Sequence, residues 1–345
     1  MDKNMSISRL PPPAHYKREF PLSDKAAEYL RSSRNSIRDI LEGKDERLML
    51  IVGPCSIHDP QGSGREYAER LASLIPSLSE RFFIVMRTFL EKPRTTVGWE
   101  GLVSDPFLTG GFDLQAGLAE ARKFLLKVLE LGVPTTTEFT DPLTPQYLGD
   151  LVSWTAVGAR SSEAQAYRRM ASGLEMPVGF KNGTGGSVQL AVDAIVSASN
   201  PHAFFGVSEE EGMILQVRTK GNSSCHLVLR GSLTHGANHG AEAVADAMER
   251  LTKAGLPPRL VVDCSHGNSA KDPQRQKEVF RNVLAQRRAG NKGIIGLMLE
   301  SHLFSGNQKL GDDPSQLQYG ISITDPCLEW EETAELLQEA YILWD

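Results

Sequence analysis

A closed (β/α)8 barrel is the fold that this sequence predicts, and three observations predict it. Short apolar runs rich in β-branched residues alternate with amphipathic helical patterns down the chain, the alternation that builds a parallel sheet covered by helices. Eight such runs occur, which suits a closed barrel better than an open, doubly wound sheet. Nearly every run ends in a charged or ligating side chain, and barrel closure brings those ends to one mouth.

In chain order, residues 1–45 form an extension, with a Pro-rich piece (Pro11, Pro12, Pro13) followed by a polar helix from about Ser23 to Glu42. A barrel has no need of this segment, so it is expected to pack against a second subunit or cover the barrel bottom, with regulation as the alternative. Residues 46–345 form the barrel. The predicted strands are Leu48 to Cys55, Phe82 to Phe89, Thr135 to Phe139, Thr155 to Arg160, Val178 to Asn182, Leu227 to Gly231, Leu260 to His266 and Ile294 to Ser301. Between them lie helices with one apolar stripe, such as Leu114, Leu118, Ala121, Leu125 and Val128, or Val244, Met248 and Leu251; steps of three and four keep each set on one face. Two further runs, His202 to Val207 and Met213 to Arg218, sit close together between the fifth and sixth strands and predict an inserted β-hairpin.

The bulk composition narrows the functional class. A chain of 345 residues with 40% hydrophobic and 23% charged residues can bury a large core. A formal charge of -6 without a basic block argues against nucleic acid and anionic membranes, which require clustered Lys and Arg. No apolar run approaches the ~20 residues of a membrane span, and the first ten residues lack a secretory pattern, so a cytoplasmic location is expected. Four scattered cysteines, Cys55, Cys225, Cys264 and Cys327, do not make a disulfide framework.

Two constellations carry chemistry. Cys55, His266, Glu300 and Asp325 are candidate metal ligands; one thiolate, one imidazole and two carboxylates suit a divalent Mn2+, Fe2+, Co2+ or Zn2+ ion. Each also has a plain reading, as a core cysteine, a satisfied histidine, or a helix cap or salt-bridge partner. Arg87, Lys92, Arg94, Arg160, Lys181 and Arg230 stand at or just beyond the ends of apolar runs, where cations need compensation and a bound polyanion supplies it. Salt bridges to Glu91, Glu138 and Glu163 could absorb some of them, though hardly all six. Glycine-bearing turns at 157–160 and 181–186 let backbone amides approach an anion. Neither a Walker A spacing nor a Gly-x-Gly-x-x-Gly after the first strand is present, which disfavours nucleotide binding.

Taken together, the strings GPCSIHDP (53–60), EKPRTTVGW (91–99), VGAR (157–160), MPVGFKNGT (176–184), DCSHGNS (263–269), ESH (300–302) and SITDPC (322–327) resemble the class I 3-deoxy-D-arabino-heptulosonate 7-phosphate (DAHP) synthases, in the group of the bacterial Phe-, Tyr- and Trp-sensitive isozymes. The resemblance runs from about Leu10 to the C-terminus. It implies a metal-dependent condensation of phosphoenolpyruvate with erythrose 4-phosphate that opens the shikimate pathway, in a homodimer or homotetramer. It also implies that Cys55, His266, Glu300 and Asp325 hold the metal, and that Arg87, Arg160, Lys181 and Arg230 hold phosphoenolpyruvate, with the Ala159 amide and Glu138 in the same pocket. Lys92, Arg94 and Thr95 would then meet erythrose 4-phosphate, Arg94 and Thr95 at its phosphate, and Lys92 would be the proton donor. Cys55 and Cys327 are expected to oxidise to a disulfide once the metal is lost.

The chain departs from that family at Glu100, where Lys is common, at Gly185, where Asp is common, and at Ser232 and His239, where Gly and Tyr are common. Glu175 and Gly206 stand where inhibited relatives often carry a small hydroxyl residue, so inhibition by Phe, Tyr or Trp is expected to be weak or absent. These departures keep a second reading open, a specialised paralogue that condenses phosphoenolpyruvate with another aldose phosphate in secondary metabolism. A catalytically silent binding protein is a third reading, disfavoured by the intact ligand set and Lys92.

Overall fold

A computed structural model describes residues 5–344. Helices α1 (Pro13–Glu19) and α2 (Asp24–Glu42) come first. They are followed by β1 (Leu48–Gly53), α3 (Ser63–Leu78), β2 (Phe82–Arg87), α4 (Leu114–Glu130), β3 (Thr135–Glu138), α5 (Thr144–Leu148) and β4 (Trp154–Val157). Then come α6 (Gln165–Ala171), β5 (Val178–Lys181), α7 (Val188–Ala198), β6 (Ala203–Val207), β7 (Ile214–Arg218) and β8 (Cys225–Leu229). The remainder is α8 (Ala241–Lys253), β9 (Leu260–Asp263), α9 (Arg275–Arg288), β10 (Ile294–Glu300) and α10 (Trp330–Ile342).

Eight parallel strands close into a barrel in the order β1-β10-β9-β8-β5-β4-β3-β2, as the βα period predicts. The hairpin is present too: β6 and β7 pair antiparallel, with Phe204 opposite Val217, as a separate two-stranded sheet. The predicted strands overshoot at their C-terminal ends. Cys55, Arg160, Arg230 and His266 all lie in loops just past their strands, because the chain leaves the ladder before the polar residue that marks its end.

Alternation along each strand sorts side chains between two cores. Leu48, Leu50 and Val52 face outward under the helices, whereas Met49 and Ile51 join Val85, Trp154, Val228, Val261 and Met298 inside the barrel. Trp154 fills that interior because Gly179 yields the space; a Cβ on Gly179 would approach the Trp154 ring to 2.3 Å.

Helix α2 closes the lower end. Ser23 caps it by accepting from the Ala26 amide, and Gly43 ends it with a left-handed φ of 74°, a conformation glycine adopts without a Cβ penalty. Its Ile37 and Ile40 belong to the inner-barrel cluster, and the buried Arg34 guanidinium donates to the carbonyls of Val152 at 3.0 Å and Gly149 at 2.6 Å. Helix α2 thus packs against the lower end of the barrel. On α4, Leu118, Ala121, Leu125 and Val128 are buried as predicted, whereas Leu114 remains 48% exposed. It is the first helical residue, and the stripe meets the barrel only from Leu118 onward.

Candidate active site

In six of the eight barrel strands the inward-facing series continues upward into charge. Arg87 follows Val85 by two residues, Glu138 follows Thr136, Lys181 follows Gly179, Arg230 follows Val228, Asp263 follows Val261 and Glu300 follows Met298. The same period of two that fills the interior therefore aims these groups at the barrel axis near its C-terminal mouth. Gly158 supports the arrangement, since a Cβ there would meet Glu138 Oε1 at 2.2 Å.

At the deepest point Cys55, Glu300 and Asp325 converge, with one ligand atom from each within 4.8 Å of the others. His266, the fourth candidate, stands beside this trio, its Nε2 3.8 Å from Glu300 Oε1. His266 has a left-handed φ of 56°, uncommon for a residue with a side chain and of the kind that clusters at functional sites. Lys92 caps the trio, its Nζ 3.1 Å from Cys55 Sγ and 3.2 Å from the Cys55 carbonyl oxygen. Arg87 is fully buried beneath it, with Nη2 2.9 Å from Glu300 Oε1 and its guanidinium 4.0 Å above the Phe89 ring.

Above the trio opens a cleft of ≈ 370 Å³ lined by Lys92, Arg94, Thr95, Glu138, Ala159, Arg160, Lys181, Arg230, His266 and Asp325. Ten of the thirteen residues singled out from the sequence thus share one surface, and Cys55, Arg87 and Glu300 lie buried below it. Arg160 donates to Thr95 Oγ1 from Nη2 at 2.7 Å and from Nε at 3.2 Å, which ties the loop after β4 to the loop after β2.

Burial raises the cost of ionising every group here, and the neighbours decide which groups stay charged. Glu138 remains ionised despite burial because Lys181, 3.1 Å away, and then Lys92 outweigh it. Asp325 is likewise held well below the usual carboxylate range by Lys92 and His266 against its own desolvation. Burial pulls the Lys92 ammonium down, yet Cys55 and Glu300 more than offset it and hold the proton on. Burial, with the Glu300 carboxylate adding to it, pushes the Cys55 thiol up to about 11. A soft thiol and two carboxylates that converge, with an imidazole beside them, fit a borderline divalent cation, whose charge would draw off the thiol proton.

Two residues at the site escaped the sequence reading. Asp263 is fully buried, with Oδ2 3.0 Å from His266 Nδ1 and 3.6 Å from Lys181 Nζ; its signal was a carboxylate two residues beyond Val261 on an apolar strand. Lys271 lines the cleft and reaches Asp325 Oδ1 at 2.8 Å. It is brought there by left-handed Ala270 and Lys271, with φ of 52° and 63°, and nothing in the residue pattern announces such a turn.

The profile of the DAHP synthetase I family matches residues 19–338. The chain belongs to that family. It is 48% identical over 329 residues to the Tyr-sensitive phospho-2-dehydro-3-deoxyheptonate aldolase of Escherichia coli K12, covering 95% of this chain and 91% of that protein. The Phe-sensitive aldolase of the same organism is 47% identical over 333 residues, covering 96% and 94%. Among solved structures, the phospho-2-dehydro-3-deoxyheptonate aldolase of Francisella tularensis SCHU S4 superposes with a TM-score of 0.94 at 40% identity over 99% of each chain.

Several of the departures from that family lie off the cleft surface. Glu100 is exposed and does not line the cleft. Nothing lies within 4 Å of a Cβ built on Gly185. Ser232 sits behind the rim and donates to the Thr184 carbonyl at 2.9 Å. Glu175 lies far from the mouth, paired with Arg34 at 2.9 Å. No helix among the described residues is long and apolar enough to cross a membrane.

Proposed function

We propose that this chain condenses phosphoenolpyruvate with erythrose 4-phosphate and water, giving DAHP and inorganic phosphate, the first step of aromatic biosynthesis. The observation that carries the reading is one cleft in which Lys92, Arg94, Arg160, Lys181, Arg230 and Lys271 face only two carboxylates, Glu138 and Asp325. Two phosphorylated substrates require that excess of cations.

Cys55, His266, Glu300 and Asp325 would hold a divalent cation (Mn2+, Fe2+, Co2+ or Zn2+), which when bound polarises the aldehyde carbonyl. Arg160, Lys181 and Arg230, with the Ala159 amide, hold phosphoenolpyruvate, and Arg87 adds positive charge from beneath. Glu138 fixes the Lys181 ammonium. Arg94 and Thr95 anchor the phosphate of erythrose 4-phosphate, and the Thr95–Arg160 contact sets the two substrates side by side. As C3 of phosphoenolpyruvate attacks the aldehyde carbon, Lys92 delivers its proton to the aldehyde oxygen. Water then adds at C2, and the C2–O bond to phosphate breaks while the surrounding cations stabilise the departing anion.

A homodimer or homotetramer is proposed on family grounds alone. Glu175, which is paired with Arg34, and Gly206 stand where inhibited relatives often carry a small hydroxyl residue, and these departures support weak or absent inhibition by Phe, Tyr or Trp. Loss of phosphoenolpyruvate absorbance, followed across aldose phosphates of four to six carbons, tests the substrate. Turnover is expected to be fastest with erythrose 4-phosphate; faster turnover with another aldose phosphate would favour the specialised-paralogue reading.

A further inference from the structure

We propose that Asp263 is a positioning residue for the cation site: it orients the His266 ring so that Nε2 faces Glu300 and the cleft. The inference rests on the metal reading above and extends it to a residue outside the ligand set.

The geometry leaves the ring one arrangement. The Ser265 hydroxyl donates to Asp263 Oδ1 at 2.6 Å, and the Ser265 amide donates to the same oxygen at 3.0 Å. Having given its proton to Asp263, the Ser265 oxygen can only accept from His266 Nδ1, which lies 2.7 Å away. Asp263 Oδ2 lies 3.0 Å from the same Nδ1; it is not aligned for a hydrogen bond and is otherwise without a hydrogen-bond partner, but its charge favours the hydrogen on that nitrogen. Nδ1 must therefore carry the hydrogen, which leaves the Nε2 lone pair free to ligate. A carboxylate behind a ligating histidine also raises the basicity of the ring and holds its plane.

A plainer role for Asp263 would be to balance the charge of Lys181. Distances argue against that as its main task, because Lys181 Nζ is nearer to Glu138, at 3.1 Å, than to Asp263, at 3.6 Å. His266 is the closer partner of Asp263, and the bonds from Ser265 aim the carboxylate at it.

The test is Mn2+ titration of chelator-stripped protein by calorimetry. Asp263→Asn is expected to weaken Mn2+ binding by about 10–100-fold, the usual effect of losing such a partner, while phosphoenolpyruvate affinity in the metal-free protein changes far less. Added to a His266→Ala background, the same substitution should shift Mn2+ affinity by no more than about twofold, since its effect runs through the ring. Should Asp263→Asn fail to fold, Ser265→Ala carries the test through a smaller loss of the same sign. An unchanged Mn2+ affinity in folded Asp263→Asn overturns the inference, as does an equal loss in the His266→Ala background. A loss confined to phosphoenolpyruvate binding also overturns it and assigns Asp263 to Lys181. If the wild-type protein itself takes up no Mn2+, the metal reading falls and the inference with it.

Discussion

The floor and the mouth of the barrel interior are built on the same strands, a few residues apart, and they are opposite in kind. At the floor Ile51, Val85, Trp154 and Val261 pack with Ile37 and Ile40 of α2, and apolar burial is the dominant stabilising contribution. Two residues beyond Val85 and Val261 stand Arg87 and Asp263, both fully buried and each set against a partner of opposite charge, Glu300 and His266 or Lys181, with neutral groups such as the Pro54 carbonyl and Ser265 completing their contacts. Buried ion pairs of this sort add little net stability, because desolvation offsets much of their attraction. The contrast teaches that the floor holds the fold while the mouth is held by it, so substitutions at the two ends should separate activity from stability.

The widest separation is expected at Cys55. Cys55→Ala should lower kcat on the order of a thousandfold or more, since the cation supplies several kcal/mol at the transition state. The melting temperature of the metal-free protein should hardly move; a cooperative loss of stability would break the comparison. Metal removal probes the same corner. The Cys327 thiol is buried beside Cys55 and donates to the Asp325 carbonyl at 3.7 Å, so chelated, air-exposed protein is expected to lose two of its four free thiols, and a thiol count that stays at four rejects the Cys55–Cys327 disulfide.

Trp154→Ala is the complementary experiment at the floor. Emptying the inner barrel should reduce unfolding free energy by about 3–5 kcal/mol, measured in urea, while kcat of the folded protein stays near that of the wild type. A large fall in kcat would mean that floor and mouth are mechanically coupled.

Glu91 sharpens the comparison through pH. Unlike Glu138 and Asp325, which cations keep ionised, Glu91 accepts hydrogen bonds from Thr140 and Thr144, and burial pushes its carboxyl from 4.5 up to about 8. The folded protein holds a proton there that the unfolded chain loses near its ordinary value. The stabilisation is thus complete at low pH and lost as pH rises through about 8, because the folded state binds more protons over that window. Glu91→Gln cannot titrate, so its melting temperature relative to wild type should climb between about pH 5 and about pH 8; a constant difference would show that Glu91 is already ionised.

The smallest effect is expected at the rim. Gly185→Asp, which restores the residue common in relatives, projects into open space and should change either KM by no more than about twofold, the scale of a surface substitution. A tenfold fall in the KM for phosphoenolpyruvate would show that this departure does tune the site.

Much of this was legible before the fold was known, and the exceptions are physical in origin. Local periodicity marked the eight strands, the hairpin and the apolar face of α4, because alternation and helical spacing are properties of neighbouring residues. Polar residues closing apolar runs marked the mouth, since burying charge has a cost that a function must justify. Leu114 was placed in the core by spacing alone, and spacing cannot show where a helix begins to meet its sheet.

What the amino-acid sequence determined by itself was the βα period, the family through its motifs, and the kinds of side chain gathered at the strand ends. Only the tertiary structure decided how those groups meet. Barrel closure set Arg87 under Glu300 and away from the cleft surface, placed Asp263 behind His266, brought Lys271 to Asp325 and fitted α2 to the floor. Such contacts join residues tens to hundreds of positions apart or depend on left-handed turns, and they arise from the register and closure of the whole sheet, which no local pattern encodes.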